Sequence, residues 1–143
     1  MGRIHPELFR SSLAVQEQLK KDPLTKELAG EWASSFTCIS VISNRTSKVH
    51  HDNSGEPGWY DFLISIGTYC FAKLAFEQLG VEVVYSAGTA VAFCANVFNH
   101  GVSEWGRGDR ICYAFFNKKT ILRRFGQDKA GWMTQSCFEG KFP

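Results

Sequence analysis

The tetrapeptide Val49-His50-His51-Asp52 sets an imidazole and a carboxylate two residues apart. On an extended chain such residues point to the same side. His50 and Asp52 therefore offer two ligand atoms to one metal ion, and His51 points the other way. His100 follows a strand-like run about fifty residues later. In a jelly roll, strands that far apart can lie side by side. Two histidines and one carboxylate on one face form the facial triad of non-haem Fe(II) oxygenases, with coordination positions left open.

Ten residues after His100, Arg110 opens the apolar run Arg110-Ile111-Cys112-Tyr113-Ala114-Phe115-Phe116. An inward arginine on such a strand needs an anion, because a buried unpaired charge is very costly. A dicarboxylate cosubstrate that chelates iron supplies one, held by a bidentate fork. The order His-x-Asp, His, Arg is what a 2-oxoglutarate-dependent dioxygenase requires. Plainer readings stand beside it. His51 can pair with a carboxylate, His100 before Gly101 can occupy a turn, and Arg110 can pair with Asp61 or Asp109. His5 reads as an idle residue in a polar terminus, and Arg107, between two glycines, as an exposed loop residue.

These residues must be positioned by a chain of 143 residues, 44% hydrophobic, 21% charged and 14% aromatic. That is enough apolar area for one self-sufficient core and excludes global disorder. The expected organisation is one domain over 1–143, with a helical lead-in at 1–35, a β core at 36–117 and a tail at 118–143. Pro6 suits the first turn of a helix carrying Leu8, Leu13, Val15 and Leu19, which Asp22-Pro23 ends. Thr25 is the expected cap of a second helix with Leu28, Ala29 and Trp32 on one side. Short β-rich runs follow at Phe36–Ser43, Trp59–Gly67, Ala72–Gln78, Val81–Ser86, Thr89–Ala95 and Arg110–Phe116, separated by glycine-rich turns. A short basic helix closes the pattern at Lys118–Phe125. The fold class this predicts is mainly β: a sandwich or jelly roll with an N-terminal helical buttress and a short C-terminal helix.

No apolar run is long enough to span a membrane, so no membrane partner is expected. The cysteines are odd in number, form no CxxC pair, and all but Cys137 sit in apolar runs. They read as reduced, buried thiols of an intracellular protein, in nucleus or cytoplasm. The sequon at Asn44 is then accidental. The net charge of +2 does not announce a nucleic-acid binder and does not exclude one. The tail cations Lys118, Lys119, Arg123, Arg124 and Lys129 either hold phosphates, with Trp59, Tyr60 or Trp105 stacking a base, or form a solvated helix face over aromatic core residues.

Taken together, Phe36–Arg45, His50-His51-Asp52, Trp59–Leu63, Asn99–Val102 and Gly108–Phe116 resemble the TET/JBP-type 2-oxoglutarate- and Fe(II)-dependent dioxygenases, in particular the set expanded in mushroom-forming fungi. The resemblance implies a double-stranded β-helix, cupin-like, with Fe(II) held by His50, Asp52 and His100. It implies 2-oxoglutarate and dioxygen as cosubstrates. Arg110 matches the arginine for the distal carboxylate, and Arg45 matches one that reaches the other end in some members. Cys112 lies beside the cosubstrate, where related enzymes often carry a hydroxyl residue. The implied target is the methyl of 5-methylcytosine or thymine, on a single strand or a flipped base. Gly55 stands where some members carry a polar group, so Asn53, Glu56 and Asp61 are the candidate base contacts by proximity, and Trp59 and Tyr60 the candidates for stacking on the substrate. The alternatives are the same cofactors acting on a small molecule or protein side chain, and a non-catalytic jelly-roll module.

Overall fold

A computed structural model describes residues 1–138. The β-rich runs form strands β1 (Cys38–Ser43), β2 (Ser47–His50), β3 (Asp61–Gly67), β4 (Lys73–Phe76), β5 (Val81–Val84), β6 (Ala90–Phe93), β7 (His100–Val102) and β8 (Arg110–Phe116). They pair antiparallel into two four-stranded sheets, ordered β1-β8-β3-β6 and β2-β7-β4-β5. Successive strands switch sheets at every connection except β4 to β5, which gives a jelly roll of the double-stranded β-helix type. The inner faces enclose Leu74, Phe76, Tyr85, Phe93, Ala95 and Val102.

β2 and β7 were not apparent as strands from composition. β2 is largely polar, and β7 is three residues with a central glycine; each becomes a strand through pairing with the other. Of the six runs expected from sequence, Arg110–Phe116 is β8 end to end, and the other five are shorter at one or both ends, where turns begin.

Helix α1 (Pro6–Lys21) buries Leu8, Ser12, Val15 and Gln16 on one face. It packs with α3 (Lys119–Arg124) around Trp59, Leu122 and Ala130, a second apolar cluster outside the barrel. Asn117 joins the layers: its Oδ1 accepts from Ser12 Oγ and from the Thr37 N–H, both at 3.0 Å. His5 is not idle. It is fully buried; its Nδ1 accepts from the Leu8 N–H at 3.2 Å, capping α1, and its Nε2 donates to the Gly131 carbonyl at 3.0 Å. In α2 (Lys26–Glu31), Thr25 makes no cap bond, because its hydroxyl donates instead to the Leu19 carbonyl at 2.6 Å. Only Ala29 of the expected apolar face is buried; Leu28 is 80% exposed. Cys94 and Cys112 are buried, but Cys70 lies exposed in the loop after β3, against the expectation of a buried thiol.

Candidate metal centre and cosubstrate cavity

The end of β2 and the start of β7 lie side by side, with His50 directly opposite His100. β2 is bulged between Ser47 and His50, and it runs so close to β7 that a Cβ on Gly101 would sit 2.8 Å from the Ser47 carbonyl oxygen. The imidazole centroids are 4.6 Å apart. Asp52 enters from the loop beyond β2, anchored by its N–H to the Ala95 carbonyl at 2.9 Å. Its two carboxylate oxygens lie 3.6 Å from His50 Nε2 and 4.0 Å from His100 Nε2. One ligand atom from each of the three residues falls within 4.8 Å of the others. His51 is exposed and outside this group.

The ring nitrogens are already sorted. His50 Nδ1 faces the Lys48 carbonyl at 2.7 Å, and His100 Nδ1 faces the Phe98 carbonyl at 3.0 Å. A carbonyl oxygen only accepts, so each Nδ1 carries a proton, and Nε2, the ring nitrogen nearer Asp52, is the one each histidine can offer to a metal. Burial lowers the pKa of His100 below the ordinary histidine value, against the smaller opposing pull of the Phe98 carbonyl and Asp52. The neutral imidazole it favours is the form that binds a metal. Two imidazoles and a carboxylate, with carbonyls fixing both rings, fit Fe(II) with positions left open.

A cavity of about 250 Å³ runs from this cluster between the sheets, past Leu63, Leu74 and Val102, to Arg110 and Cys112. Arg110 is only 3% exposed, its Nε has no hydrogen-bond partner, and no carboxylate among the described residues lies within ion-pair range of it. Asp109 accepts instead from Asn44 Nδ2 at 2.8 Å. Asn44, at a left-handed φ of 47°, also clamps the start of β8: its Oδ1 accepts from the Arg110 N–H at 2.7 Å and its N–H donates to the Arg110 carbonyl at 2.8 Å. The guanidinium lies over the Tyr85 ring, 5.3 Å from its centroid. A buried guanidinium with no anion of its own, on a cavity that leads to the His50–Asp52–His100 group, suits a dicarboxylate that would chelate a metal held there. Arg45 is exposed on the cavity wall.

Residues 2–119 match the Tet/JBP family, described as the oxygenase domain of the 2OGFeDO superfamily. The chain belongs to this family. A Tet/JBP domain is an oxygenase of the 2-oxoglutarate- and Fe(II)-dependent class. No curated protein matches the chain in sequence. Among solved structures it is similar in fold to NgTET1 in complex with 5mC DNA, at 19% identity and a TM-score of 0.58, over 85% of this chain and 46% of that one. This chain thus spans about half the length of that protein. A Cupin 2 conserved barrel domain protein from Salinispora arenicola aligns over 66% of this chain and 76% of its own, at 16% identity and a TM-score of 0.42.

Other residues of this Tet/JBP domain fall in different places. Trp59 is not available to stack a base: it is 1% exposed, in the core with Leu8 and Leu122, and its Nε1 donates to the Ala130 carbonyl at 2.7 Å. Tyr60 is half-buried and lies edge-on to His5. Trp105 packs on the barrel core and donates to the Gly108 carbonyl at 3.0 Å. Asn53 is exposed beside Asp52, and Arg107 is exposed. Asp61 is buried at the start of β3 but does not line the cavity; burial, and then the charge of Asp52, push its pKa up to about 8. Glu56 is paired with Lys119 and lies 3.9 Å from Arg123, which also pairs with Asp128 at 3.1 Å. Two of the tail cations are therefore engaged in ion pairs with acidic residues. Sequence reasoning missed Tyr85, which carries no motif; only its place at the end of an apolar run signals an inward residue.

Proposed function

We propose that this domain is an Fe(II)- and 2-oxoglutarate-dependent dioxygenase that hydroxylates the methyl group of a modified pyrimidine, 5-methylcytosine or thymine, in nucleic acid. The observation that carries this is the pairing of two ends of one cavity: His50, Asp52 and His100 with both Nε2 atoms on offer to a metal, and Arg110 buried with no anion of its own. Iron with 2-oxoglutarate and dioxygen, when bound there, supplies oxidative decarboxylation coupled to insertion of oxygen into a C–H bond.

The chain's own residues set the geometry. His50 and His100 present their Nε2 atoms and Asp52 its carboxylate, which would offset part of the metal's charge. Arg110 forks the distal carboxylate and thereby fixes how far the cosubstrate reaches, with Cys112 beside it and Arg45 nearer the mouth. Leu63, Leu74 and Val102 give the space between the two ends apolar walls. A methyl group inside a duplex is out of reach of such a cavity, so the base is taken flipped or from a single strand. The choice of a nucleic-acid base rests on family membership and on the NgTET1 complex with 5mC DNA. The exposed cations Lys118, Arg124 and Lys129 are the phosphate contacts that remain unpaired in ion bridges among the described residues.

The test is incubation of iron-loaded protein with 2-oxoglutarate and methylated oligonucleotides, followed by mass spectrometry for succinate and for a base heavier by one oxygen. Succinate released without any oxidised base favours a second reading, a small molecule or protein side chain as substrate. The engagement of Lys119 and Arg123 with Glu56 and Asp128 is what speaks for it. Absence of both products overturns the enzyme in favour of a binding module.

A further inference from the structure

Each sheet has two edge strands, and three of the four edges are blunted. β2 is bulged and carries Lys48; β5 carries Glu82, paired with Lys73 at 2.8 Å; β6 is only four residues long. Bulged, charged or short edges resist pairing with another chain. β1 has none of these devices. Its six residues, Cys38-Ile39-Ser40-Val41-Ile42-Ser43, include no charge and no proline, and their register with β8 is unbroken. The phase of that ladder is fixed at its end, where the Asn44 N–H donates to the Arg110 carbonyl. Bonded pairs alternate along an antiparallel ladder. Cys38, Ser40 and Ile42 therefore direct their backbone groups at β8, and Ile39, Val41 and Ser43 direct theirs outward. The Thr68 N–H on the Asp109 carbonyl, at 2.9 Å on the other side of β8, gives the same phase. Among the described residues nothing donates or accepts at the outward groups. Val41, at their centre, is 59% exposed, and an open groove runs along Ser40–Ser43 to Arg45.

We propose that β1 pairs antiparallel with β1 of a second copy of this chain, about a two-fold axis at Val41. In that register Val41 faces its own counterpart and Ile39 faces the partner's Ser43, so each copy offers the other the same patch, as a two-fold interface requires. It is the register that uses every outward N–H and C=O of the strand, about six hydrogen bonds in all. It also sets inner face beside inner face: Ser40 and Ile42, which line the cavity, lie opposite the partner's Ile42 and Ser40. The cavity opens toward this edge, since Ser40, Ile42 and Arg45 line both the cavity and the groove outside it. The second copy therefore forms one border of the mouth. Interfaces carry about one hydrogen bond per 100–200 Å², so about six belong to roughly 600–1,200 Å², the small and reversible end of specific interfaces. The dimer is one that dissociates on dilution, with a Kd in the micromolar range.

Sedimentation of the full chain across a concentration series, without metal or cosubstrate, tests it. The wild-type chain passes from monomer to dimer as concentration rises. Val41→Lys sets two like charges on the axis and raises the dimer Kd at least about tenfold, while its thermal unfolding stays cooperative. Val41→Cys brings two thiols to the axis with Cα atoms about 5.5 Å apart, within disulfide range, and mild oxidation makes the dimer covalent. Ile39→Cys lies about 13 Å from its counterpart and links no more than the wild-type chain, whose own Cys38 is one residue farther from the axis. Should Val41→Lys fail to fold, the two cysteine variants decide. A wild-type chain that stays monomeric at every concentration overturns the proposal and leaves the edge to an extended segment of another protein. A dimer untouched by Val41→Lys, or one that Ile39→Cys links as readily as Val41→Cys, overturns it too, because the copies then meet through another surface or register.

Discussion

At the scale of single residues, the two histidines of the candidate metal centre differ in burial but share one device, an Nδ1 proton held by the carbonyl two residues before. His100→Ala removes the buried ligand, and Mn(II) binding should vanish in calorimetry; His51→Ala should leave it intact, because that ring is outside the cluster. Asp61 behaves differently. Burial raises its pKa to about 8, so the folded state keeps a proton that the unfolded chain releases near pH 4. Between those values the native state binds more protons, and stability falls as pH rises. Asp61→Asn, measured by denaturant unfolding of metal-free protein, should flatten that decline and raise stability at pH 7. If the wild-type slope persists in the variant, another group is responsible. The triad residues and Arg110 stood out in the sequence because charged and metal-binding side chains interrupt apolar runs at regular spacing. His5 and Tyr85 did not, because a cap and a packed ring are defined by distant partners, Gly131 and Arg110.

Among the elements, β2 and β7 matter most and were the hardest to read. Neither carries the alternation of a half-buried strand, so periodicity cannot find them; what makes them strands is the bulge in β2 and the bare Cα of Gly101 beside it. A methyl at Gly101 meets backbone, the Ser47 oxygen at 2.8 Å and the Val49 nitrogen at 3.0 Å, and backbone cannot step aside as a flexible side chain does. Gly101→Ala should therefore displace β2, cost about 1–3 kcal/mol in stability, and weaken Mn(II) binding by about 10–100-fold, the range for lost ligand support. A variant that binds Mn(II) as tightly as the wild type would show that the two strands can separate without moving His50. The extent of α1 was readable, since Pro6, the apolar spacing and Asp22-Pro23 are all local signals, although Leu13 of the expected apolar set lies exposed. Its cap was not. His5→Ala should cost about 1–2 kcal/mol in thermal or denaturant unfolding, with no effect on metal affinity.

Over the whole molecule, the jelly roll follows from the count and spacing of β-rich runs, but the pairing of the strands does not, because antiparallel partners such as β2 and β7 are set by contacts remote in sequence. That pairing has a consequence. His50 and His100 belong to one sheet, and Asp52 follows it; Arg110 belongs to the other. On the proposed assignment, a metal alone would be anchored to one half of the sandwich and a dicarboxylate alone to the opposite half, and the two bound together would act as a clasp riveting the halves. Anything that binds only the folded state raises the melting temperature, but here the gain from both together should exceed the sum of the separate gains. Thermal unfolding with Mn(II), with 2-oxoglutarate, and with both should show a shift for the pair greater than the two separate shifts added. Succinate, which has no keto oxygen with which to chelate, should fasten nothing across the gap.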